Sequence, residues 1–250
     1  VRPTETAELA HQEIGLEQVR FTYGDEDQEV LRGIDLDILP GTVTALVGPS
    51  GSGKSTIAKL IAGFWDVTGG SITLGGVDLK QIPLKQLNEQ IAYVSQDNYL
   101  FDRTVRENIR IGKLDATDEE VEAAAKASGC DGFIRALPHG YDTVLTEGGA
   151  MLSQGGKQLL ALARTMASDP KILILDEATS SVDTKTEREL QEGVNRMLKG
   201  RTSFIVAHRL STIRACNKIM YIDHGEIAEC GTHEELLARK GLYWQLCQEM

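Results

Sequence analysis

The sequence predicts an α/β protein with a mostly parallel, covered sheet and a helical lobe inserted between its strand-forming halves. Three observations lead there. Strand-like and helical segments alternate along most of the chain, the order expected of parallel strands joined by crossing helices. Residues 171–176, KILILD, form an unbroken apolar run, as expected of a strand buried on both faces. From about residue 97 to 151 the composition turns acidic and alanine-rich, so this stretch reads as a separate lobe.

Residues 1–13, VRPTETAELAHQE, are polar and read as a linker or tail. Alternation and β-branched content mark strands at 14–23 and 42–48. A helix should run from Ser55 to Gly63, where glycine terminates it. Residues 69–82 read as short strands and turns, and 90–96 as a strand. In DATDEEVEAAAKASG, Thr117 and Glu120 stand in capping-box spacing, acids fill the first turn and Gly129 follows the end, which predicts a helix. Helices are expected over 153–167 and 184–200, with a strand over 202–208. Residues 218–230 read as a hairpin turning at Asp223-His224-Gly225, and a C-terminal helix begins near Thr232.

The formal charge of −11 and pI near 5.0 argue against a broad nucleic-acid surface, which needs a basic stripe. At 250 residues, with 41% hydrophobic and 25% charged residues, the chain can bury a substantial core as one large domain. Cys130, Cys216, Cys230 and Cys247 form no C-x-x-C pair, so neither a zinc site nor a disulfide framework is indicated, and a reducing compartment is expected. No apolar run approaches the roughly 18–20 residues that span a bilayer. The chain opens at Val1 without an initiator methionine, which points to a fragment of a longer protein.

Residues 48–55, GPSGSGKS, fit the pattern G-x-x-x-x-G-K-[ST] between a predicted strand and a predicted helix. Gly48, Pro49, Ser50, Gly51, Ser52, Gly53, Lys54 and Ser55, with Thr56 following, are therefore the candidate phosphate-binding residues. The glycines let successive backbone N–H groups curl around a phosphate, and the helix points its positive end the same way. Lys54 can reach the β- and γ-phosphates of ATP, and the Ser55 hydroxyl can ligate Mg²⁺. Such enzymes also hold Mg²⁺ through an aspartate ending a neighbouring buried strand, which Asp176 supplies. Glu177 follows, and adjacent side chains on a strand diverge. One carboxylate can serve the metal while Glu177 faces the attacking water as general base.

With these motifs placed, the chain resembles the nucleotide-binding domain of an ATP-binding cassette (ABC) transporter of the exporter type, from about Gly15 to the C-terminus. Tyr23 in FTYG matches the aromatic that stacks on adenine. Gln96 in AYVSQDNYLF matches the glutamine that approaches Mg²⁺ and water. Asp183 in SSVD matches the loop that crosses to the opposing subunit, and His208 in IVAHRLS matches the histidine that contacts the γ-phosphate. Each is weak alone; their joint order carries the resemblance, helped by TVRENI (104–109) and TEGG (146–149). The resemblance implies a P-loop NTPase fold with an N-terminal antiparallel β subdomain, and a single domain over 14–250 with a helical subdomain at about 97–165.

The family signature, Leu-Ser-Gly-Gly-Gln, stands here as LSQGG in LSQGGKQ (152–158). Ser153 and Gly155 keep their places as candidate contacts to a γ-phosphate, while Gln154 and Gly156 replace the usual Gly and Gln. Gly156 costs about 0.5–1 kcal/mol of helix propensity and removes a side-chain donor. Gly156→Gln is therefore expected to leave turnover equal or higher.

The resemblance further implies head-to-tail pairing with a second nucleotide-binding domain, from the same or a different chain, around two Mg-ATP. It implies a membrane-spanning partner, a place on the cytoplasmic face of the cell membrane and no nucleic acid. An importer-type ATPase is one alternative. Soluble cassettes acting on DNA or ribosomes are disfavoured by the acidic charge and the lack of heptads. A regulatory module without hydrolysis is disfavoured by Glu177 and His208.

Overall fold

In the computed structural model the described residues are 2–95, 99–177 and 184–250, with the backbone alone for 184–187. The chain opens with β1 (Ile14–Phe21) and β2 (Leu31–Ile38), then passes from β3 (Val43–Val47) into α1 (Lys54–Ile61). It continues through β4 (Gly69–Leu74), β5 (Val77–Asp78), α2 (Leu84–Gln90) and β6 (Ile91–Val94). Helices α3 (Val105–Arg110), α4 (Asp118–Ala127), α5 (Asp131–Arg135) and α6 (Gln154–Ser168) precede β7 (Ile172–Asp176). α7 (Thr184–Leu198), β8 (Thr202–Val206) and α8 (Leu210–Arg214) follow. β9 (Lys218–Asp223), β10 (Glu226–Gly231), α9 (His233–Arg239) and α10 (Leu242–Glu249) complete the chain.

The strands form two sheets, ordered β2-β1-β4-β5 and β10-β9-β3-β8-β7-β6. The first is antiparallel. In the second, β9, β3, β8 and β7 run parallel, with β10 as an antiparallel edge. Ile172–Leu175 of β7 are buried, so the continuous apolar reading of that strand holds, and every residue of β8 is buried as well. The predicted fold class, a P-loop α/β core with an antiparallel N-terminal sheet and a helical lobe, is the one observed.

Strand β2 is absent from the sequence reading. Its buried residues Leu31, Ile34, Leu36 and Ile38 alternate only after Gly33, whose φ of 96° shifts the period by one. β1 has a similar irregularity. Its buried positions Ile14, Leu16, Val19 and Phe21 accommodate an extra residue at Gln18 (φ 46°), where the register to both neighbours slips. The N-terminal residues run along the same sheet region: the Arg2 guanidinium donates to Leu79 O and Ile82 O, and Ala7 exchanges hydrogen bonds with the Gln86 amide.

Two compact units can be distinguished. One comprises residues up to Tyr93, Lys171–Glu177 and Gly200–Met250, the other residues 94–170 with α7. In the second unit α6 packs on α3, α4 and α7, and the half-buried Arg164 guanidinium donates to Asn108 O (3.0 Å) and Tyr99 O (2.9 Å). The Thr117–Glu120 capping box is formed. A second box, Thr104–Glu107, starts α3, a helix the sequence reading left unassigned although TVRE carries the same signal. The expected C-terminal helix is two helices. Lys240 turns left-handed (φ 53°), and the Glu229 carboxylate accepts from Leu242 N–H (2.6 Å) to start the second. Among the described residues, no helix is long and apolar enough to cross a membrane.

Candidate functional site

Leu46, Val206 and Asp176 lie level across the parallel sheet: Leu46 pairs with Val206, and Val206 with Asp176. The ladder continues one step further, as Ala207 N–H donates to Leu46 O (3.0 Å) and Glu177 N–H to Val206 O (2.9 Å). β3, β8 and β7 therefore end at one edge, which delivers Gly48, His208 and Glu177 together. The carboxyl ends of parallel strands are where open α/β sheets bind ligands.

The loop after β3 is shaped by backbone approach. Gly48 has φ 144°, and a Cβ there would meet Ile222 O at 2.2 Å. Gly53 (φ 105°) is the N-cap of α1, which has neither a side-chain cap nor an acid in its first turn. Its first N–H groups are thus offered to an anion. Ser52 Oγ is buried and has no protein partner, while the side of Gly51 where a Cβ would sit is open. Lys54 is only 8% exposed, and its ammonium donates to Gly48 O. Burial pulls its pKa below the ordinary lysine value, opposed by the charge of Asp176. A polyphosphate fits these features, because it would pair the buried ammonium and accept from the orphaned hydroxyl. Ser55 is exposed on the first turn of α1.

Asp176 is partly exposed and accepts from the Tyr93 hydroxyl (3.3 Å). Among the described residues there is no cluster of three or more His, Cys, Asp or Glu able to hold a metal. One carboxylate and one hydroxyl suit Mg²⁺, which keeps several waters and shares phosphate oxygens. Glu177 is 5% exposed, and its carboxylate turns to the segment between β8 and α8. Oε2 accepts from His208 N–H (2.7 Å) and Arg209 N–H (3.1 Å), and Oε1 from the Thr212 hydroxyl (2.9 Å).

The His208 pKa is lowered by burial first, then by Lys54, with Asp176 opposing and Arg209 adding to the fall. The imidazole is therefore neutral at pH 7, able to donate from one nitrogen and accept at the other. Its folded value lies below the unfolded one, so the associated stability is present above about pH 6.5 and declines as pH falls below it.

Tyr23 lies against the same loop helix. Its hydroxyl shares a 2.6 Å hydrogen bond with Thr56 Oγ1, and its ring meets Phe21 and Trp65 edge-on at 4.8 and 5.4 Å. Gln96 and Asp183 lie outside the described residues. The sequence reading missed Tyr93, Trp65 and Thr212, whose roles depend on neighbours distant in the chain.

In the second unit, Ser153 is the N-cap of α6 and accepts from Gly156 N–H (3.1 Å). Ser153 and Gln154 are exposed and Gly155 is buried, so Gln154 points outward as the sequence reading required. The structure adds a steric term to the expectation for Gly156. A Cβ there would meet Phe133 Cζ at 2.7 Å, so a side chain at this position requires the partly exposed ring to shift. Overpacking costs about 1–3 kcal/mol, against about 0.5–1 kcal/mol gained in helix propensity. Gly156→Gln is now expected to lower both the thermal midpoint and the hydrolysis rate, and Phe133→Leu in the same chain to restore part of each. Wild-type stability of the single variant would remove the ring as the obstacle.

A phosphate loop joining a buried parallel strand to a helix, with an acid ending the strand two places away, defines a P-loop NTPase. The chain belongs to the ABC transporter family, whose pattern its residues 31–180 match. It is 48% identical over 94% of its length to an ATP-dependent lipid A-core flippase of Chromohalobacter salexigens, covering 41% of that protein. It is 46% identical over 93% of its length to the ABC transporter ATP-binding protein YfiC of Bacillus subtilis, covering 38% of it. A bacterial Atm1-family ABC exporter with ATP bound superposes with a TM-score of 0.89 at 40% identity, over 98% of this chain and 42% of that one. The chain thus spans about two fifths of these relatives and corresponds to the ATP-binding domain of ABC exporters.

Proposed function

We propose that this chain binds and hydrolyses ATP with Mg²⁺ as the motor domain of an exporter, pairing head-to-tail with a second such domain. One observation carries the reading: the parallel register ends β3, β8 and β7 level at one sheet edge, bringing the loop of the buried Lys54 to the same edge as Asp176, Glu177 and His208. Gly48–Thr56 would wrap the phosphates, with Lys54 on the β- and γ-phosphates. Ser55 and Asp176, joined by Gln96, would hold Mg²⁺, which neutralises charge developing on the phosphate oxygens when bound. Tyr23 would stack on adenine. Glu177 would take a proton from the attacking water, and His208 would donate to the γ-phosphate oxygens.

Ser153 and Gly155 stand in a separate compact unit, at an uncapped-by-acid helix start suited to a γ-phosphate presented by another domain. With Asp183, they supply the trans half of each site in the proposed pair. A membrane-spanning partner on the same or another chain would convert closure into transport, and the domain would then stand at the cytoplasmic face of the membrane. The exporter names of the relatives and the matching ATP-bound exporter support this over an importer.

Lys54→Met tests the reading. Methionine fills the buried stem's volume without a charge to desolvate, so the thermal midpoint without nucleotide should hold or rise. Loss of a charge-assisted hydrogen bond, about 1.5–3 kcal/mol, should weaken Mg-ATP binding about 10- to 100-fold by calorimetry. Unchanged heat would refute the reading.

A further inference from the structure

Among the described residues, three donors hold the Glu177 carboxylate, and their chemistry is unequal. Two are the backbone amides of His208 and Arg209, which any non-proline residue would supply, and both converge on Oε2. The third, the Thr212 hydroxyl, reaches Oε1 and depends on the identity of the side chain. Thr212 is fully buried on α8, where a hydroxyl is unfavourable unless hydrogen-bonded. Its own position is fixed in turn: Thr212 N–H donates to Arg209 O (3.1 Å), and the Cys216 thiol donates to Thr212 O (3.2 Å). With both amides on one oxygen, the carboxylate could still turn about its last bond. A hydroxyl on the other oxygen stops that turn and decides where the remaining lone pairs point.

We propose that Thr212 is a positioning residue for hydrolysis: its hydroxyl orients the Glu177 carboxylate and ties it to the His208 turn, so that base and imidazole keep one geometry. This rests on Glu177 being the general base. Thr212 is fully buried and acts through Glu177 Oε1, so its effect falls on the chemical step and leaves nucleotide binding alone.

Thr212→Val keeps shape and burial while removing the donor; Thr212→Ser keeps the donor while removing the methyl. Thr212→Ala is a second hydroxyl-free variant should valine crowd the carboxylate. Phosphate release by this chain gives kcat and KM, and a fluorescent ATP analogue gives Kd. Misaimed general bases lose rate without losing binding, so the valine and alanine variants should lose about tenfold or more in kcat with KM and Kd within about twofold. The serine variant should recover most of that loss. In a Glu177→Gln background, Thr212→Val should change the residual rate by less than about twofold, since the residue acts through the carboxylate. A hydroxyl-free variant with wild-type kcat, or a serine variant as poor as valine, overturns the role of Thr212 while leaving Glu177 as base. Near-normal turnover by Glu177→Gln alone overturns both.

Discussion

Glu177→Gln should fold, bind Mg-ATP and hydrolyse it about 10²–10⁴-fold more slowly, the range a general base contributes. The local geometry makes this substitution unusually clean. The glutamine carbonyl can accept from His208 and Arg209 N–H in place of Oε2, and its NH₂ can donate to Thr212, whose hydroxyl also accepts. All three contacts survive, so a fall in turnover reports the missing proton acceptor. Glu177→Ala differs: it removes the acceptor of all three of these hydrogen bonds from a site only 5% exposed. A lost hydrogen bond to a charged group costs about 1.5–3 kcal/mol, so alanine should unfold at a distinctly lower temperature while glutamine does not. Single-turnover hydrolysis together with thermal melts separates the two variants. Turnover by the glutamine variant within about tenfold of wild type would take Glu177 out of the base's role.

What the sequence conveyed about this fold follows the reach of its signals. Continuous burial in β7, the strand β8 and the Thr117 capping box are written within a few residues, and all were readable. So was the phosphate-loop pattern, because it is written in eight consecutive residues, 48–55. β2 was not, since the left-handed Gly33 breaks the two-residue period that marks a half-buried strand. The partners of the site residues were also hidden. Tyr93 reaches Asp176 from 83 positions away, and Thr212 reaches Glu177 from 35, contacts that exist only once parallel register has brought the strand ends level. Gly156 shows the same limit from another side. Judged by propensity it looks like a defect, yet a side chain there requires the Phe133 ring in α5 to shift, so the residue suits its neighbour rather than its helix.

Gly48→Ala should be the most damaging single methyl in the loop, and the reason is steric as well as conformational. At φ 144° an L-residue is strained, which alone costs about 1–3 kcal/mol. The added carbon would also stand 2.2 Å from Ile222 O, and that oxygen belongs to β9, a strand fixed by its parallel pairing with β3. A flexible side chain can move aside; a strand backbone in a sheet cannot, so the loop itself must shift. Gly41→Ala supplies the reference, since Gly41 is left-handed (φ 71°) with no atom within 4 Å of the added carbon. That control should cost about 1–2 kcal/mol, the backbone term alone. Gly48→Ala should exceed it, lowering the thermal midpoint by roughly 6–12 °C for about 3 kcal/mol in a chain of this size. Displacing the loop should also weaken Mg-ATP binding at least about tenfold, where Gly41→Ala leaves binding intact. Equal melting of the two variants would deny the contact with β9. Undiminished affinity in Gly48→Ala would mean that the phosphates are held elsewhere than in the curl of amides between Gly48 and Ser55.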